Sequence, residues 1–201
     1  MLDIGYSLSR RFPDPPQTDY RTADVRALRH DLFSGDVYLA DTETDRELST
    51  AWGWLPVLDF AWALCDTVEL LDADPPPASG RGGVSPGGTS PGFAGEAPPR
   101  RSQGEKPGEV PPGRRAAGPQ HAEVDFTEST DRMRFERRFG WVDITADWSV
   151  RGDPPLTFQH TELRREARDF LHDLLADLTD MHEGLAHNPV VWTLRARFPR
   201  V

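Results

Sequence analysis

The chain has 201 residues, 37% of them apolar and 9% aromatic, which suffices for one ordinary domain with a real core. Its 33 acidic residues outnumber 23 basic ones, for a formal charge of −10 and a pI near 5.0, which argues against nucleic acid and against an anionic membrane surface, because both require clustered cations. A single cysteine, Cys65, excludes an intrachain disulfide and a multi-cysteine zinc site; no run of 18 apolar residues is present, and Met1-Leu2-Asp3 opens without the basic and apolar regions of a signal peptide, so a cytoplasmic protein is expected.

Lys106 is the only lysine, Asn188 the only asparagine, and Ile4 and Ile144 the only isoleucines. That skew fits GC-rich coding, so the abundance of arginine is not read as phosphate recognition.

Leu2, Ile4, Tyr6 and Leu8 alternate with Asp3, Gly5, Ser7 and Ser9, the period-2 pattern of a strand with one buried face, which Pro13, Pro15 and Pro16 end. Two β-prone runs, Val25 to Phe33 and Asp36 to Asp41, flank Ser34-Gly35-Asp36 and read as a hairpin. Asp41 to Asp45 begins like a calcium loop, but Arg46 stands where the turn glycine belongs and Trp52 at the twelfth position, so a solvated turn is expected. After Pro56, residues Val57, Phe60, Ala61, Leu64, Val68 and Leu71 recur on one face of a helix, with Cys65 inside the same arc as an inert small hydrophobe. Trp52 and Trp54, just before that helix, are expected in the core or as a staple.

Residues 75 to 120 hold 11 prolines and 11 glycines, with Phe93 the only aromatic, and cannot bury enough surface to offset the entropy of ordering. The stretch reads as a disordered insert of net charge +3, which leaves −13 on the remaining residues. Residues 1–74 are too few to stand comfortably alone, so 1–74 and 121–201 are expected to be two parts of one domain. Within the insert, Gly88-Thr89-Ser90-Pro91-Gly92 fits G-x-S-x-G and Gly82 to Thr89 approaches a P-loop. Neither has the flanking strand and helix that such sites need, and Gly88 replaces the phosphate-binding lysine.

Val124 and Phe126 mark a strand, and Met133 and Phe135 another, whose partner begins at Trp141 after the Phe139-Gly140 turn. Val142, Ile144, Ala146 and Trp148 point one way; Trp141, Asp143, Thr145 and Asp147 point outward, opposite Arg134, Glu136 and Arg138, where cross-strand Arg to Asp pairs are expected. Pro154-Pro155 closes the sheet region. Thr161 is read as the N-cap of a long helix with the apolar face Leu163, Ala167, Phe170, Leu171, Leu174, Leu178 and Met181, ending near Gly184. Asn188-Pro189 looks like a cap and first-turn proline for a short helix over Val190 to Phe198, with a strand the alternative. The predicted fold is α+β, an antiparallel sheet of about five strands with two or three helices packed on one face.

The feature with most bearing on function lies on the long helix. Glu162, Glu166, Asp169, Asp173, Asp177 and Asp180 recur at spacings of three or four, with no Lys or Arg among them. At 100° per residue they share an arc of about 80° and run roughly 27 Å along the axis. Such a row repels itself, and it is either a solubility face or a binding face for a basic protein. A metal site is a third reading, but hard cations want six or more oxygens and one helix face supplies too few. His172 and His182 are not spaced as an i,i+4 metal pair, and surface roles are expected. On the first helix Asp59, Trp62, Asp66 and Glu69 share the face opposite the apolar arc, which places an indole among acids, either as half-buried edge packing or as an aromatic anchor with a polar rim.

His30 to Leu39, Trp54 to Trp62 and Phe139-Gly140-Trp141-Val142-Asp143-Ile144, followed by a closing helix, resemble in order and pattern uncharacterised bacterial α+β families, some of which look like immunity proteins of toxin systems. The resemblance covers both blocks but not the insert. It implies a cytoplasmic binder that offers acidic faces to a basic partner, and it transfers no catalytic residue. The expectation is therefore a non-enzymatic interaction protein without a cofactor. The competing class is a small metal-dependent hydrolase using Asp143, Asp147 and the helix acids, and a third is a structural or ligand-sensing domain.

Overall fold

The computed structural model describes residues 1–72, 120–126 and 130–200. The expected disorder of the Pro/Gly-rich insert and the two discarded loop motifs within it lie outside the described residues, apart from Gln120. The segments on either side of the insert fold into one compact unit.

The architecture is α+β, but the strands form two antiparallel four-stranded sheets rather than one sheet of about five. In the first, β1 (Leu2–Leu8) pairs with β2 (Ser34–Asp41), which also pairs with β3 (Arg46–Ser49) and the two-residue β4 (Leu55–Pro56). The second is a meander, β5 (Gln120–Asp125), β6 (Arg132–Arg138), β7 (Trp141–Ala146) and β8 (Leu156–Gln159). Helices α1 (Val57–Asp72), α2 (His160–Met181) and α3 (Pro189–Arg197) complete the unit, with a π-type turn over Ala27–Asp31 and a 3₁₀ turn over Glu183–His187.

The hairpin expected around Ser34-Gly35 does not form. Residues 27–31 are helical, and Ser34-Gly35 lies inside β2, whose partner is β1, in register from Leu2↔Asp41 to Leu8↔Gly35. The glycine is needed for proximity rather than for a turn, because a Cβ on Gly35 would sit 2.2 Å from the Ser7 carbonyl oxygen. Residues 42–45 form the solvated turn expected there, joining β2 to β3.

Both long helices bury the stripes that their 3.6-residue periodicity marks out. In α1 these include Val57, Phe60, Ala61, Leu64, Val68 and Leu71; in α2, Leu163, Ala167, Phe170, Leu171, Leu174, Leu175 and Leu178, whereas Met181 is exposed. Phe60 of α1 stacks on Phe126 at 6.1 Å and meets the edge of Phe170 at 6.0 Å, so one side chain from the first block packs against two from the second. Trp52 stacks on Trp54 and turns its edge to Phe126 and Trp148, which closes the core beside β7.

Helix α2 begins one residue before the expected cap. Gln159 occupies that position without a side-chain cap, and β8 leads straight into the helix instead of the sheet ending at Pro154-Pro155. α3 is a helix as its cap and proline suggest. The fully buried Asn188 accepts from the Val190 N–H through Oδ1 and donates through Nδ2 to the Tyr20 and Ala23 carbonyls at 2.8 and 2.9 Å. The single asparagine thus ties the N-terminal loop to the C-terminal helix.

Candidate interaction surface

The acidic row stands along α2 as its spacing predicts, but much of it is met by other parts of the chain. Glu162 Oε1 accepts the Leu2 N–H at 2.7 Å, satisfying a backbone donor of β1, a strand paired on one side only. Glu166 pairs with Arg165, and Arg200, beyond α3, reaches both Asp169 and Asp173. Asp177 accepts from the Tyr6 hydroxyl at 2.7 Å. Burial, then this hydrogen bond, raises the phenol pKa well above its ordinary value. Six carboxylates meet two guanidinium groups, so the row stays four charges negative. Its C-terminal half, Asp173, Asp177 and Asp180, faces solvent, with the Asp173 side chain 69% exposed despite Arg200. Exposed ion pairs of this kind contribute about 0–1 kcal/mol each, which leaves these carboxylates open to exchange one cation for another.

The row on α1 has a different role. Asp59 is not on an open face: it is 9% exposed and accepts from Arg29 Nε, with His30 Nδ1 3.8 Å away. The same guanidinium lies 4.9 Å over the Trp62 ring, so the indole is half-buried under Arg29 rather than an open anchor. Arg197 of α3 pairs with Asp66 and lies 3.5 Å from Glu69. Burial raises the Asp66 pKa, opposed by Arg197 and Arg29. Asp59, Trp62, Asp66 and Glu69 therefore clamp the helical turn at Ala27–Asp31 and α3 onto α1.

Of the Arg to Asp pairs expected across β6 and β7, Arg134–Asp147 forms, whereas Arg138 pairs with Glu136 on its own strand and Asp143 stands opposite Glu136. Arg134 binds Asp147 and Glu123, and Arg132 binds Glu123 and Asp125. The Arg134 hydrogen bond lowers the Asp147 pKa. Asp143 accepts from Thr157 Oγ1 at 2.7 Å. Among the described residues, no three His, Cys, Asp or Glu side chains are placed to share a metal ion. His172 and His182 do structural work instead of standing on the surface: His172 Nε2 lies 2.7 Å from the Phe198 carbonyl oxygen, and His182 stacks on Tyr20 at 4.1 Å.

Two exposed aromatics, Phe139 and Trp141, stand at the β6–β7 turn, which sequence pattern marks only as turn and outward strand position. Phe139 occupies the first turn position between β6 and β7 with φ 50°, followed by Gly140 with φ 91°, and its ring is 95% exposed. Asn or Asp is the usual residue at such a position, so a phenylalanine directly before the turn glycine was the available signal. Trp141, 50% exposed, lines a groove of about 570 Å³ with Asp41, Glu43, Glu162 and Arg165, where the Met1 amino group pairs with Asp41 and Glu43. No described helix is long and apolar enough to cross a membrane. Compared with known proteins, the chain matches no family model, no curated protein and no solved structure.

Proposed function

We propose that this chain is a non-enzymatic binding protein that offers the acidic face of α2 to a basic protein partner and neutralises it, in the manner of the immunity proteins it resembles. The observation that carries this reading is the residual charge. After Arg165 and Arg200 are counted, the row from Glu162 to Asp180 is still four charges negative, and its last three carboxylates are exposed. A continuous row of one sign raises the encounter rate with a cationic surface and disfavours acidic competitors. The intramolecular pairs are compatible with exchange because each is solvated and weak.

The test is capture of partners on tagged protein beside a variant carrying Asp173→Lys, Asp177→Lys and Asp180→Lys, followed by identification, purification and a binary Kd. The expected result is a basic partner whose Kd weakens at least about tenfold in the variant and with rising salt, while the unfolding midpoint changes little. Equal affinity of wild type and variant for every retained protein refutes the reading and returns the row to solubility.

A further inference from the structure

We propose that the free edge of β1 receives the main chain of the partner: an extended basic segment adds to this strand and turns Lys or Arg side chains, at every second position, onto the carboxylates of α2. The inference rests on the interaction reading above and adds to it the conformation and side-chain spacing of the segment that binds. Parity fixes which groups of β1 are free. The Thr42 N–H donates to the Met1 carbonyl and the Ser9 N–H to the Ser34 carbonyl, so the odd-numbered residues of β1 turn their backbone groups toward β2. The even-numbered residues turn theirs away from the sheet. Of these, the Leu2 N–H donates to Glu162, and the backbone N–H and C=O groups of Ile4, Tyr6 and Leu8 have no hydrogen-bond partner among the described residues.

Edge strands are commonly blunted by proline, lysine or a bulge. β1 has none of these over seven residues in unbroken register with β2. α2 runs beside it in the same direction, since Glu162 reaches Leu2 and Asp177 reaches Tyr6. Where the C-terminal ends of the two elements meet lies an open groove of about 490 Å³, lined by Tyr6, Ser7, Leu8, Asp177, Asp180 and Met181. One wall of that groove is strand and the other carries carboxylates.

Charge selects the occupant. Asp177 is met only by the neutral Tyr6 hydroxyl, and neither it nor Asp180 is ion-paired among the described residues. A second copy of this chain, added edge to edge, would bring together two rows that are each four charges negative, so self-pairing is disfavoured. A basic strand meets no such repulsion. Its side chains on one face repeat every ~6.8 Å, against ~4.5–6 Å between successive carboxylates on α2, and the long Lys and Arg stems absorb the difference. Main-chain bonds to β1 then supply affinity, and the alternate charges supply selection.

The test uses the full chain and, as probe, a synthetic peptide of about eight residues that alternates Lys and Val. The expected result is saturable binding with a Kd below about 1 mM and slowed hydrogen exchange at the Ile4, Tyr6 and Leu8 amides, with the bonded amides of Asp3, Gly5 and Ser7 unchanged. N-methylation of two consecutive central residues removes a donor from each edge of the peptide and should weaken binding about tenfold or more. The α2 charge reversal should weaken it likewise, and a Glu-Val peptide should not bind. Equal Kd for the methylated peptide, or binding that leaves the three amides unprotected, overturns strand addition; if charge reversal still weakens binding, the electrostatic reading survives without it. Absence of binding by the Lys-Val peptide also overturns the inference, whereas the electrostatic reading is decided separately by the captured partner. A dimer in sedimentation whose formation protects the same three amides would assign the edge to a second copy of this chain, which overturns the proposal as well.

Discussion

Replacing Asn188 by alanine removes three hydrogen bonds at a site with no access to water. The Oδ1 bond to the Val190 N–H caps α3, and such caps contribute about 1 kcal/mol. The two Nδ2 bonds satisfy the partly buried Tyr20 and Ala23 carbonyls, and each contributes about 1 kcal/mol. Asn188→Ala should therefore cost about 3 kcal/mol, a large part of the ~5–15 kcal/mol that holds a domain folded. In urea, with a slope of about 2 kcal/mol per molar, the midpoint should fall by about 1.5 M with the slope unchanged. Asn188→Asp provides an internal check. It keeps the acceptor for Val190 but turns a carboxylate toward two carbonyl oxygens, so at pH 7 it should cost at least as much as alanine. Those carbonyls favour the protonated acid in the folded state, which raises its folded pKa above the ordinary ~3.9. Its deficit should thus be largest at neutral pH and shrink as the pH falls through that raised value. A loss under about 1 kcal/mol for alanine, or an Asp variant as stable as wild type at pH 7, would refute the assignment of these three bonds.

His160, 4% exposed at the start of α2, should make stability depend on pH. Burial, then the Arg137 charge, lowers its pKa from 6.5, opposed by Asp72, whose carboxylate lies 3.5 Å from Nδ1. The Val68 backbone also opposes the shift, but Nε2 makes no well-formed hydrogen bond to offset burial of the charged ring. The unfolded chain takes up this proton more readily than the folded one; the histidine's contribution is therefore full above pH 6.5 and lost as the pH falls below it. His160→Gln should flatten that part of a stability profile measured by urea unfolding between about pH 5 and 8, and equal slopes in the two proteins would contradict the account. Cys65 is buried, and burial pushes its thiol pKa up to about 12. It should resist iodoacetamide in the native state at pH 8 and react once urea unfolds the chain; stoichiometric labelling of folded protein would show that the site opens.

Elements long enough to repeat their own period were readable from the chain. Alternation placed β1, β6 and β7, and the Phe139-Gly140 turn joins β6 to β7 as its residues predict. Apolar spacing drew α1 and α2, the Asn188-Pro189 cap and proline pointed to α3 with a strand left open, and the acidic row follows from helix geometry alone. The short strands β3, β4 and β8 carry four, two and four residues, too few for a period to be recognised. The false hairpin at Ser34-Gly35 arose because a glycine required by close backbone approach looks, in a sequence, like one required by a turn.

What α-helical spacing settled about the surface is the direction of each side chain relative to its own axis: six carboxylates on one arc of α2, and Asp59, Trp62, Asp66 and Glu69 on one side of α1. What lies opposite those side chains was decided by the fold. Asp59 is covered by Arg29 at a separation of 30 residues, Asp173 by Arg200 at 27, Asp66 by Arg197 at 131 and Asp177 by Tyr6 at 171. A carboxylate's counterion, like a strand's hydrogen-bonding partner, is chosen by proximity in space, and local periodicity carries no record of it. For that reason the α1 acids became an internal clamp while the exposed end of the α2 row stayed available, and Phe139, which the sequence marked only as a turn, became the most exposed aromatic among the described residues.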